Sequence, residues 1–184
     1  MNVASNVGYF LVDTLFSIFI ALIMVRMLLG IARADFYNPI SQFLVTATNP
    51  LVKPLRSIIP SIGRIDTAAI VLMLVLTVLQ YFLLTGLAGN SVNVVTLIPI
   101  AIIKLIELLL NVYIFALIIQ AVISWVNPGA HTMQNPMASL LNSLTAPIVN
   151  PVRRVLPPVG MVDLSPMVVI IGLYVVKIVI QSLY

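Results

Sequence analysis

Cysteine is absent from this 184-residue chain, histidine and tryptophan occur once each, and only 8% of residues are charged. Without cysteine there is no disulfide framework and no thiol nucleophile, and the sequence is silent on redox compartment. The single histidine, His131, has no cysteine, histidine or carboxylate cluster beside it, which argues against a metal site and a metal cofactor. Neither it nor the serines show the nucleophile–base spacing that an intramembrane enzyme needs. The scarcity of charge also excludes a soluble fold. Hydrophobic residues make up 61% of the chain and the mean hydropathy is +1.18, so lipid rather than water is the expected solvent.

Four stretches carry the roughly 20 apolar residues that cross a hydrocarbon core about 30 Å thick. They run near 8–30, 67–88, 100–126 and 165–183, which predicts an all-α integral membrane protein with four transmembrane helices. Pro99 suits the first turn of the third span, with the residues before it lying on the surface. The first stretch resembles a signal peptide in offering Ala32-Arg33-Ala34-Asp35 after it, but no Lys or Arg precedes it. It is read as a retained span.

Cations set the orientation. Loop 31–66 carries Arg33, Lys53, Arg56 and Arg64, and loop 127–164 carries Arg153 and Arg154, whereas both tails and the link 89–98 have no Lys or Arg. The positive-inside rule puts both loops in the cytoplasm and both termini outside. The net charge of +4 then reports contact with anionic lipid headgroups on the cytoplasmic face and does not point to nucleic acid.

The two loops are copies. Residues 38–66 align with 135–163 without a gap, and eleven of 29 positions are identical. The chain therefore divides into two repeats, 1–88 and 89–184, each a span, a loop and a span. An even number of spans per copy makes the copies enter the membrane in the same direction, related by a two-fold axis along its normal.

Each loop has a physical reading. Asn38-Pro39 and Asn135-Pro136 join a good N-cap to the residue favoured at the first helical position. Ile40, Phe43, Leu44 and Ala47 then recur at helical spacing as an apolar stripe. Pro50 and Pro54, with Pro147 and Pro151 in the second copy, lack the N–H of a helical bond, so a kink or a restarted helix is expected there. A second apolar face follows in Leu51, Val52, Leu55, Ile58 and Ile59, with Lys53 and Arg56 off it, and Pro60 or Pro157 ends the segment. The expected product is a stiff elbow along the inner membrane surface.

Gly63 and Gly160 allow the next turn to bend, and Asp66 and Asp163 stand where a carboxylate caps the following span. Arg56 and Asp66 are ten residues apart, as are Arg153 and Asp163. Either each pair is a salt bridge that staples elbow to span, or each arginine faces lipid phosphate while the aspartate caps alone.

This doubled pattern, N-P-x(11)-P-x(3)-P-x-R-x(3)-P-x(2)-G-x(2)-D between apolar spans, resembles the YggT family of bacterial membrane proteins over nearly the whole chain. Ser124-Trp125 and Asp163-Leu164-Ser165-Pro166 make the second copy the more typical. The first departs from it with Arg26-Met27-Leu28 and with Thr67-Ala68-Ala69 after Asp66. The resemblance implies a protein of the bacterial inner membrane, in a family linked to osmotic tolerance, cell division or septum organisation, and organelle cytochrome assembly. It implies no enzymatic activity.

Ionisable residues inside spans are costly in lipid. Asp13, Glu107 and Lys177 fall at similar depth, and with Lys104, three residues from Glu107, they define a candidate polar cluster. The cluster is either a polar path between the halves or a set of snorkelling groups with one local ion pair. Arg26, near the inner end of its span, is expected to snorkel to the cytoplasmic side. Two functions follow from the residues: a non-enzymatic scaffold or assembly factor that binds other membrane proteins or itself, and a small channel or transporter component.

Overall fold

A computed structural model of the protein describes residues 3–126, 135–156 and 163–182. His131, Pro157 and Gly160 lie outside those residues, as do the side chains of Ser124 and Trp125. The described residues form six α-helices: α1 (Val3–Ile31), α2 (Pro39–Ile58), α3 (Thr67–Leu87), α4 (Val94–Val126), α5 (Pro136–Val155) and α6 (Ser165–Gln181).

Three of these, α1, α3 and α4, are long and apolar enough to cross a membrane, and α6 is a shorter apolar helix of 17 residues. Only 28–39% of each long apolar window is buried by the chain itself, which leaves most of its side chains on the surface, as is compatible with a membrane-spanning helix. α4 begins before Pro99, which sits inside it rather than in its first turn. Asn93 starts the helix early: its Oδ1 accepts the Val95 N–H at 3.0 Å, and its carbonyl accepts the Thr96 N–H at 3.0 Å.

Packing divides the chain into two compact units, residues 1–27 with 44–108 and residues 28–43 with 109–184. These are divisions by contact, whereas the repeats are divisions by sequence. In the first unit Ile20, Ile23 and Met24 of α1, Leu44 and Val52 of α2, and Ala68, Ala69, Leu72 and Met73 of α3 are buried. In the second, Leu117 of α4, Val149 of α5 and Val169 of α6 make a core flanked by Ile148, Val152, Ile170 and Leu173. The second unit also holds the start of α2, where the Asn38 amide donates to the Pro136 carbonyl at 2.8 Å. The opening residues of both elbows thus meet in one unit.

The elbows are single helices. No restart occurs at Pro50 or Pro54, nor at Pro147 or Pro151, because α2 and α5 each run unbroken through both prolines. Spacing explains the tolerance: prolines four apart remove helical bonds from one side of the helix only, and the remaining bonds carry the turn.

After α2, residues Ile62 and Ile65 exchange both backbone hydrogen bonds at 3.1 Å around Gly63-Arg64, and Gly63 takes φ +61°. A positive φ at the first central position is the pattern of a type II′ turn, which favours glycine there. A Cβ at Gly63 would meet nothing within 4 Å, so Gly63→Ala should cost about 1–2 kcal/mol from backbone conformation alone. Gly86, inside α3, has equally open surroundings, and Gly86→Ala should raise stability by about 0.5–1 kcal/mol. Unfolding of the two variants in the same detergent checks this; equal stabilities would mean that the turn does not require its glycine.

Candidate functional site

Both elbows begin alike. Asn38 Oδ1 accepts the Ile40 N–H at 2.9 Å, and Asn135 Oδ1 accepts those of Met137 at 3.0 Å and Ala138 at 3.3 Å. Pro39 and Pro136 follow at the first helical position, where a missing N–H costs nothing. Of the apolar stripe Ile40, Phe43, Leu44 and Ala47 on α2, the chain itself buries Leu44, while Phe43 is 61% exposed and open to a membrane interface. The buried line is instead Ser41, Leu44, Thr48 and Val52.

Polar contacts to α1 select that line. Arg26 does not snorkel: it is 5% exposed and donates from Nη1 to Thr48 Oγ1 at 2.5 Å and from Nη2 to Asn49 Oδ1 at 3.0 Å. The Thr48 hydroxyl donates in turn to the Leu44 carbonyl at 2.6 Å, so its proton and a lone pair are both used. The second elbow repeats the device with neutral groups. Thr145, the counterpart of Thr48, lies 2.8 Å from both the Leu141 carbonyl and Gln120 of α4. One hydroxyl proton serves one acceptor at a time, and a rotated Gln120 amide supplies the other bond.

The far ends of the elbows are stapled. Arg56 reaches Asp66 Oδ2 from Nε at 3.1 Å and also from Nη2, while Asp66 Oδ1 caps α3 by accepting the Ala69 N–H at 3.2 Å. Arg153 holds Asp163 Oδ2 from Nε at 2.8 Å and from Nη2 at 2.6 Å. Leu164, not Asp163, directly precedes α6, yet Asp163 Oδ1 still takes a free N–H at the helix start, that of Ser165 at 2.9 Å, and takes that one alone. Pro166 is the reason. It stands where the first copy has Ala69, and proline has no N–H to offer. Partial burial pushes the Asp163 carboxyl up, but the Ser165 N–H and the Arg153 guanidinium outweigh it and hold the group below the ordinary carboxylate range.

Inside the apolar helices the polar residues have local partners. Gln80 Nε2 lies 2.9 Å from Asp13 Oδ1 and 3.0 Å from Ser17 Oγ, Lys104 pairs with Glu107 at 2.9 Å, and Lys177 donates to Asn111 at 2.8 Å. The first two arrangements lie in one unit and the third in the other. Gln80 and Lys177 are counterparts in the repeat, and each reaches back to the first helix of its own copy. Asn111 carried no signal beyond standing one position past Leu110, the counterpart of Asp13.

One face of α2 is open. Thr46, Asn49, Pro50, Lys53 and Pro54 line a shallow, open surface recess of about 600 Å³. Proline at 50 and 54 denies the Thr46 and Pro50 carbonyls their usual helical donors.

A family model, CCB3/YggT, matches residues 5–87 and 99–184. An uncharacterized protein from the proC 3′ region of Vibrio alginolyticus is 41% identical over 166 residues, covering 89% of this chain and 88% of the relative. An uncharacterized protein of Pseudomonas aeruginosa is 39% identical over 171 residues, covering 92% and 85%. The uncharacterized protein YggT of Escherichia coli strain K12 is 34% identical over 176 residues, covering 94% and 88%. No solved structure matches the chain. With the match spanning both copies of the proline motif, the chain belongs to the CCB3/YggT family.

Proposed function

We propose that the protein is a non-enzymatic scaffold or assembly factor of the bacterial inner membrane, with four spans, both elbows in the cytoplasm and both termini outside. The observation that carries this reading is the double clamping of each elbow. A threonine contact ties its middle to the preceding helix, and an arginine–aspartate pair ties its end to the segment entering the next. A proline helix held in this way is a positioning element, and the exposed Leu51 and Ile58 give it apolar surface for a neighbouring membrane protein or for lipid. The partners are other membrane proteins or a second copy, and the process served is envelope organisation, division or the response to osmotic stress. A second reading, a channel or transporter component for ions under osmotic stress, draws support from the Asp13, Ser17 and Gln80 contacts inside the apolar helices.

The cysteine-free chain suits a single-cysteine test. Ser57→Cys and Ser139→Cys should both be shielded from impermeant thiol reagents in intact cells and labelled after permeabilisation. Photocrosslinkers on the same cysteines should capture discrete membrane-protein adducts. Labelling from outside would overturn the orientation. Ion flux through purified protein in proteoliposomes, without any adduct, would replace the scaffold by the channel.

A further inference from the structure

We propose that the open face of α2 in the first repeat is a phospholipid site selective for phosphatidylethanolamine. The site combines donors and acceptors in an unusual way for one face of a helix. Among the described residues, the exposed Thr46 hydroxyl and Lys53 ammonium have no hydrogen-bond or ion-pair partner, and both line the open recess. The hydroxyls of Thr48, Thr77 and Thr85 each bond the carbonyl four residues earlier. Asn49 gives its Oδ1 to Arg26, which leaves its amide N–H groups for a ligand. These donors suit a phosphate diester.

Beside them stand the acceptors. The Thr46 and Pro50 carbonyls cannot take the bonds that Pro50 and Pro54 would have donated, and a carbonyl that lacks its usual helical donor at a membrane surface favours a ligand that brings N–H groups. A primary ammonium brings three. The choline headgroup brings none, and the glycerol headgroup brings no cation. Leu51 at 42% exposure and Ile58 at 80% continue the same helix with apolar surface for an acyl chain. Phosphate, primary ammonium and acyl chain together describe phosphatidylethanolamine. The second elbow keeps the prolines but replaces Asn49 by Ala146 and Lys53 by Asn150, so the site belongs to the first repeat alone.

The proposal rests on the reading of α2 as a helix at the membrane surface, and the test separates the two. Full-length protein in detergent is titrated with phosphatidylethanolamine, phosphatidylcholine and phosphatidylglycerol of identical acyl chains and read by native mass spectrometry. Phosphatidylethanolamine should bind about tenfold more tightly than either, the equivalent of one hydrogen bond to a charged group. Lys53→Ala and Thr46→Val should each weaken it several-fold, and Asn150→Ala should leave it unchanged. Soluble phosphoethanolamine should not displace the lipid. Equal binding of the choline lipid, tighter binding of the glycerol lipid, or full displacement by phosphoethanolamine would each overturn the proposal. Surface labelling of Ser57→Cys from outside would instead overturn the orientation, whatever the lipid preference in detergent.

Discussion

Thr48→Val is expected to destabilise the protein by about 1.5–3 kcal/mol, and Arg26→Met by clearly less. The larger effect on the smaller residue follows from what each change leaves behind. Valine keeps the volume of Thr48, which is 0% exposed, but removes the oxygen that receives Arg26 Nη1. A guanidinium that is 5% exposed then keeps its charge and loses a charge-assisted bond, and stranding part of a buried cation costs more than the bond contributes net. Arg26→Met removes the charge together with its desolvation cost. Thr48 retains its bond to the Leu44 carbonyl, and only Asn49, which is half-buried, loses a partner. Chemical unfolding of both variants in one detergent gives the comparison. A greater loss from Arg26→Met would mean that the arginine gains more from its contacts than burial costs it.

The second large effect concerns the staples. Asp66→Ala should cost roughly 1–2 kcal/mol and Asp163→Ala less, although the residues are counterparts. Asp66 serves two partners at once, Arg56 and the first turn of α3, with its side chain 10% exposed. Asp163 takes the Ser165 N–H at the start of α6, but its side chain is 31% exposed, so solvent screens its pair with Arg153. Arg56→Ala and Arg153→Ala should each lower accumulation in the membrane, and the double variant should be worse. Because they lie in different repeats, their losses should add. Acid separates the second staple from neutral contacts. The folded Asp163 carboxyl lies below its unfolded value of about 3.9, so its contribution is present above that value and is lost as pH falls through the folded pKa. Asp163→Asn should remove that acid-sensitive part, and an unaltered acid profile would show that the pair does not support the fold.

The repeats, the three long apolar helices and the caps at Asn38, Asn135 and Asp66 were legible because each rests on local chemistry. Hydropathy over twenty residues reports solvent, Asn-Pro reports a helix start, and a conserved offset within one chain needs no fold to be seen. Gly63 was readable for the same reason. A restart at the prolines, one of the two outcomes expected, does not occur and each elbow is a single helix, since two prolines four apart weaken one side and leave the rest of the helical bonds in place. The early start of α4 turned on Asn93, a local cap outweighed in the sequence by the more conspicuous Pro99.

The burial of Arg26 was not legible. A cation near the end of an apolar helix reads as one that reaches for headgroups, and only the approach of α2 supplies Thr48 and Asn49 to hold it in place. The same is true of Thr145 with Gln120, and of Lys177 with Asn111, 66 residues apart. Sequence by itself determined the solvent, the repeat and the ends of the elbows, because those follow from composition and from contacts within a few residues. Which side of each elbow is buried and which polar side chains meet across helices were decided by tertiary structure. A buried polar group must find its partner in space, and periodicity along one helix does not say which helix will bring it.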